Sequence, residues 1–311
     1  MSGTDLKTDL SAANPLDRDG WLALLHRMGD ASGAFEALGT DHWAVFNDDG
    51  PILVVSFDRL EDISAMEPGK MPSVFEQATQ NGWSHLSLIS EGESWYRDAS
   101  VYAYLDRLVD ECFFDRFDRV VFYGAGMGAY AAAAFSVAAP GCTVLALRPI
   151  ASLSPAIAGW DRRHLAQRRL NFTDRYGYAP DMTEGAAEVF LIYDPYFAPD
   201  AMHAALFRKP YLTALKTRLL GEDVATSLAK MGVLPKLIKA ACEGTLTPRY
   251  FNRLWRERRN FGVYLRRILV TCNAAKRPKR EAKICRSVTS RMPAPGFRNH
   301  LSKLESSGAL K

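Results

Sequence analysis

Arg119-Val120-Val121-Phe122-Tyr123-Gly124-Ala125-Gly126-Met127-Gly128-Ala129-Tyr130-Ala131-Ala132-Ala133-Ala134 decides the fold. Its first five residues read as a buried strand, its three alternating glycines as a tight turn, and its alanine-rich end as a helix. A strand that turns this sharply into a helix needs small residues on both sides of the turn, and Gly124, Gly128 and Ala129 supply them.

Strand–turn–helix is the context of a nucleophile elbow, whose pattern is G-x-S-x-G. Here the pattern is Gly124-x-Gly126-x-Gly128. The segment resembles the elbow of serine hydrolases of the α/β-hydrolase superfamily. The resemblance covers roughly residues 40–240 and implies an α/β fold: an α/β-hydrolase-like, mostly parallel sheet with helices on both faces. It also implies a strained nucleophile backbone, which glycine at 126 relieves while removing the attacking atom. The Met127 N–H is left pointing at an oxyanion-like pocket. The family order is serine, acid, histidine. On that order Asp194, after Phe190–Tyr193, takes the acid position and Glu222, after Gly221, the histidine position. A glutamate does not relay a proton as imidazole does near neutral pH. The implied activity is therefore degenerate, with ligand or partner binding replacing serine-type turnover. Gly124, Gly126, Met127 and Gly128 are the expected ligand contacts. A rescue by Glu222 acting on water, with Met127 N–H as oxyanion donor, is a weaker alternative.

Residues Phe117–Ala139 and Phe172–Met182 also look like a bacterial group of hydrolase-like proteins often labelled phosphoadenosine phosphosulfate reductase. That chemistry needs an S-G-G-x-D-S-type phosphate loop and a C-terminal Glu-Cys-Gly. Neither occurs, and Cys242-Glu243-Gly244 has the wrong order.

Other residues support rival readings. Gly124-x-Gly126-x-x-Ala129 approximates a dinucleotide loop, with an NADP- or adenosine-phosphosulfate-type ligand at the helix N-terminus. The ribose-binding acid is missing, and Arg148 ends the next strand in its place. Arg148, Arg163 and His164 are candidate anion contacts, against a bland reading of Arg163 and His164 as a solvated helix face. His203 reads as an ordinary helix residue or a displaced base. His85 begins a strand and reads as partly buried. Tyr176, Tyr178, Tyr193, Tyr196 and Phe197 line a cleft or pack the 152–184 excursion on the core. The odd set Cys112, Cys142, Cys242, Cys272 and Cys285 has no C-x-x-C pair, so neither disulfide framework nor zinc is expected. No cofactor is assigned.

Along the chain, residues 1–14 read as disordered, 15–244 as the α/β domain and 245–311 as a basic helical extension and tail. Two short helices broken near Gly29 are expected before residue 38. Trp43–Phe46 and Ile52–Phe57 flank Asn47-Asp48-Asp49-Gly50-Pro51 as a hairpin signature. Val224–Ala241 and Pro248–Asn273 read as helices. The 311 residues are 48% hydrophobic and 24% charged, ordinary for a globular protein. No signal peptide or apolar run of membrane-spanning length is read, so the cytoplasm is the default expectation. Net charge is +4. Residues 245–311 nonetheless hold 17 Lys and Arg against 3 Asp and Glu. This asymmetry predicts docking on the acidic body, contact with a protein partner, or polyanion binding by an arginine-rich adaptor; nucleic acid is the less favoured partner.

Overall fold

Eight strands form one sheet in the order β1-β2-β4-β3-β5-β6-β7-β8 in a computed structural model that describes residues 18–64 and 73–308. The strands are β1 (Gly33–Leu38), β2 (His42–Asn47), β3 (Ile52–Arg59), β4 (Ser84–Ser90), β5 (Arg119–Ala125), β6 (Thr143–Leu147), β7 (Glu188–Tyr193) and β8 (Leu212–Lys216). Only β2 runs against the rest, pairing antiparallel with β1 and β4. All other neighbours are parallel. This order, with the glycine turn after the fifth strand, is that of an α/β-hydrolase sheet.

The central strands are apolar on both sides because helices cover both faces. Val120 and Phe122 of β5 face one core with the helices α4 (Ala99–Asp110) and α5 (Met127–Ala134). Val121 and Tyr123 face the other. That second core is closed by α9 (Val224–Lys230), α10 (Leu234–Cys242) and α11 (Pro248–Leu254). Leu246, Phe251 and Trp255, all beyond residue 244, belong to it. The basic helices α12 (Gly262–Ala274), α13 (Pro278–Thr289) and α14 (Pro295–Ser306) build a separate small cluster from Leu265, Cys285, Val288 and Phe297.

Several local expectations change. The helix α1 (Arg18–Ser32) runs unbroken through Gly29, and Phe35 and Leu38 lie in β1 instead of a second helix. β2 and β3 are not a hairpin, because β4 inserts between them. The turn at 39–41 joins β1 to β2 instead, with Gly39 at φ 70°. A short helix α2 (Leu60–Ser64) follows β3, and α3 (Phe75–Asn81) precedes β4. The 152–184 excursion carries two single-turn helices, α6 (Pro155–Ala158) and α7 (Ala179–Met182). The helix α8 (Ala198–Leu206) follows β7. The expected helix 224–241 breaks at Gly232, which ends α9 at φ 64°. The stretch 248–273 divides into α11, a 3-10 turn at Trp255–Asn260 and α12. The expected disordered segment 1–14 lies outside the described residues. No helix among the described residues is long and apolar enough to cross a membrane.

Candidate functional site

Parallel strands bring their C-terminal ends to one edge, and ligands of open α/β sheets sit in the crevice beyond that edge. A cleft of about 880 Å³ lies there. The ends of β3, β5 and β6 line it, together with the turn around Glu93–Trp95, His164, Glu222 and α9.

The elbow divides its labour among three glycines. A Cβ on Gly124 would sit 2.1 Å from the Gly128 carbonyl oxygen, and one on Gly128 would sit 2.5 Å from the Phe57 carbonyl oxygen. Both positions are set by close backbone approach. Gly126 is different. It adopts φ 57° and ψ −115°, a conformation that strains any residue with a Cβ, yet a Cβ there would meet nothing within 4 Å. Its N–H donates to the Leu147 carbonyl oxygen at 2.9 Å, tying the turn to β6. The Ala129 and Tyr130 N–H groups donate to the Gly126 carbonyl oxygen, while those of Met127 and Gly128, at the start of α5, have no intrahelical acceptor. Both residues line the cleft beside Gly126.

Glu222 lines the same cleft. Asp194 does not. Its carboxylate, 2% exposed, accepts from the Tyr196 N–H at 2.9 Å and from the Gly221 N–H at 2.7 Å. Asp194 is thus linked to the loop carrying Glu222 through the backbone. The same loop is braced from outside. Arg267 of α12 donates to the Leu219 and Leu220 carbonyl oxygens and pairs with Asp223. Asp194, Tyr196 and Phe197 line a second, shallower cavity against α12. The main cleft takes its aromatic walls from Phe57, Trp95 and Tyr123. Tyr176, Tyr178 and Tyr193 pack on the core.

The expected anion contacts separate. Arg163 turns inward, donating through Nε and Nη2 to Asp161 and through Nη1 to Asp200 at 2.6 Å. Arg148, at φ 55°, lines the cleft and donates through Nε to the other Asp200 oxygen at 3.1 Å. His203 completes the network. Its Nδ1 accepts from the Ala151 N–H, so Nε2–H donates to Asp161 at 3.0 Å. Burial raises the Asp161 pKa, but the bonds from His203 and Arg163 outweigh it and hold the carboxyl well below the usual range. His203, read from sequence as a helix residue or a displaced base, is a fully buried member of this network. His164 sits in a turn instead of on a helix and lines the cleft beside Glu93.

Asp58, at the end of β3, escaped the sequence reading. Its carboxylate lines the cleft and accepts from Ser56 Oγ at 2.8 Å, Ser87 Oγ at 3.1 Å and the Ser73 N–H. Burial outweighs these bonds and raises its pKa. Behind it, His85 Nε2 donates to Ser56 Oγ at 2.9 Å, and burial pushes that imidazole down to about 3. The available signal was a polar pair, Ser56 and Asp58, alternating at the end of an apolar strand. The five cysteines are free thiols. Among the described residues no group of three His, Cys, Asp or Glu side chains is placed to hold a metal ion.

No protein-family model and no curated protein sequence matches the chain. Solved structures similar to it include the Glycosylation Associate Protein complex of Streptococcus agalactiae, at 13% identity and TM-score 0.44, covering 67% of this chain and 46% of that one. The chain thus spans under half the length of that protein. The capsule O-acetyltransferase of Neisseria meningitidis serogroup A is similar at 10% identity and TM-score 0.42, covering 65% and 93%. Carboxyl esterase 2 of the fungus Tuber melanosporum is similar at 13% identity and TM-score 0.43, covering 68% and 86%. These are distant likenesses of fold.

Proposed function

We propose that this chain is a catalytically degenerate α/β-hydrolase-like protein whose elbow cleft binds a ligand without serine-type turnover. Gly126 carries the proposal. It keeps a positive-φ elbow backbone and open space above it while offering no nucleophile. Gly124 and Gly128 hold the turn, Met127 N–H offers an oxyanion-type donor, and Asp194 and Glu222 occupy the degenerate acid and histidine positions. Arg148, supported through Asp200 by Arg163, is the anion contact, and His164 lines the same cleft. The ligand is a small acyl compound seated against the α5 N-terminus.

Two measurements test this. A fluorophosphonate probe is expected to leave the wild-type chain unlabelled and to label the double variant Gly126→Ser, Glu222→His. Labelling of wild type at a side chain in the cleft overturns the proposal. A short acyl ester at about 100 times its dissociation constant should stabilise the fold by roughly 2.7 kcal/mol. Stabilisation by NADPH, S-adenosylmethionine or phosphoadenosine phosphosulfate, and not by esters, makes the glycine turn a phosphate loop instead.

A further inference from the structure

The loop after β8 has lost the imidazole, but the cleft has not. His164 lines it together with Gly126, Met127 and Glu222. Its Nδ1 lies 3.7 Å from Glu93 Oε2, and its side chain keeps 24% of its surface exposed. Among the described residues no hydrogen bond occupies its Nε2. The ring stands edge-on to Trp95, with centroids 4.9 Å apart.

Glu93 and Trp95 sit on a turn fixed from several sides. Trp95 and Tyr96 are consecutive non-glycine residues at φ 55° and 54°, a conformation that persists only where the surroundings enforce it. The enforcing contacts are specific. His42 Nε2 is 2.7 Å from Ser94 Oγ, the Tyr96 hydroxyl donates to the Asp58 carbonyl oxygen at 2.8 Å, and the Trp95 N–H donates to Met127 Sδ at 3.2 Å. The last contact ties this turn directly to the first residue of α5. Arg59 Nη1 lies 3.6 Å from Glu93 Oε1, so the carboxylate is held from its far side while its other oxygen faces the imidazole.

We propose that His164 is the general base of this cleft, oriented by Glu93, and that it activates water for direct attack on a carboxylic ester whose carbonyl carbon lies over Gly126. The assignment depends on the cleft being the ligand site. Water supplies the oxygen that no side chain at 126 supplies. As its O–C bond forms, His164 Nε2 takes the proton, and the carbonyl π electrons move to oxygen facing the Met127 N–H. Collapse re-forms the carbonyl and breaks the bond to the alkoxide, which leaves with the proton from His164. The products are a carboxylic acid and an alcohol, with no acyl-protein intermediate. The 3.7 Å separation tightens to hydrogen-bond distance on ligand binding, as base–orienter pairs in ligand-free sites do. Glu93 is a positioning residue. The cleft walls mix Asp58, Asp62, Glu76, Glu93 and Glu222 with Arg59, Arg148 and Lys230, so the substrate class assigned is an uncharged ester.

The test is hydrolysis of p-nitrophenyl acetate by the full chain against a protein-free blank, from pH 5 to 9, with melting temperature recorded alongside. Burial lowers the His164 pKa more than Glu93 raises it, and Arg163 and Asp161 add smaller opposing charges. The rate should therefore rise along an acid limb with its midpoint below the ordinary histidine value of 6.5, without a burst. His164→Gln should lower kcat/KM by about 10²- to 10⁴-fold at an unchanged melting temperature. Glu93→Gln should keep part of the rate and move the acid limb to lower pH, which a structural role alone does not do. This shift decides the matter if His164→Gln fails to fold. A His164→Gln rate equal to wild type, or an unmoved limb in Glu93→Gln, overturns the dyad. An ester that raises the melting temperature but is not hydrolysed overturns the dyad and leaves the binding site standing. An ester that neither binds nor reacts overturns both.

Discussion

The Gly221 N–H donates to Asp194 Oδ2 at 2.7 Å, so the acid after β7 holds the loop after β8 by its backbone. It anchors the main chain one residue short of Glu222. Asp194→Ala removes the acceptor of the Tyr196 and Gly221 N–H groups and should cost about 1–3 kcal/mol of stability in urea unfolding. Hydrogen exchange at 219–223 should rise in the same variant.

The three elbow glycines should separate by mutation. Gly126→Ala meets no neighbour and bears only the strain of its backbone conformation, about 1–3 kcal/mol. Gly128→Ala drives a methyl into the Phe57 carbonyl and should cost about 3 kcal/mol or more. Equal costs in chemical denaturation would remove the distinction between a glycine kept for packing and one kept for conformation.

The buried Asp161 and the half-buried Asp58 should give opposite pH signatures. The Asp161 pKa is lower folded than unfolded, so its contribution is full above the unfolded value of 3.8 and is lost as pH falls through the folded value. Asp161→Asn should be less stable than wild type at pH 7, with the gap closing in acid. The Asp58 pKa is raised on folding, so its contribution is greatest below 3.8 and is lost as pH rises through the folded value. Asp58→Asn should therefore melt higher than wild type at pH 8, converging at low pH. Asp58 lines the cleft, so that outcome would mark it as a residue kept for the cleft at the expense of stability.

Truncation should locate the edge of the structural unit. Removing residues after Lys276 takes away α13 and α14 but spares Phe251 and Trp255. That chain should still melt cooperatively. Removing residues after Gly244 strips both aromatics from the second core, at a cost of about 3–5 kcal/mol for each large side chain, and should abolish folding. Calorimetry of the two chains decides.

Sequence carried the centre of the sheet and lost its margins. β5, β6 and β7 are unbroken apolar runs bounded by Gly, Pro or charge, so their existence and order follow from pattern alone. β2 and β3 look like a hairpin because turn residues join them, and nothing local announces that β4 will insert between them. In the sequence the cleft is most legible where its residues are local, at Gly124–Gly128, and Arg148, His164 and Glu222, singled out there for other reasons, line it too. Glu93 and Trp95 join Gly126 in the cleft lining across long stretches of chain, and left-handed Trp95, Tyr96 and Arg148 have no signature in residue type. Asp58 reads as the start of a surface turn because Arg59, Glu61 and Asp62 follow it.

The open space above Gly126 also makes the elbow a mounting point for chemistry of choice. Cys142, Cys242 and Cys285 are buried, and burial pushes the first two thiols up to about 12, so they resist alkylation. Combining Gly126→Cys with Cys112→Ser and Cys272→Ser would leave a single reactive thiol, set at the N-terminus of α5 and facing the cleft. A synthetic catalyst or fluorophore attached there would be held by a backbone that Gly124 and Gly128 already lock in place.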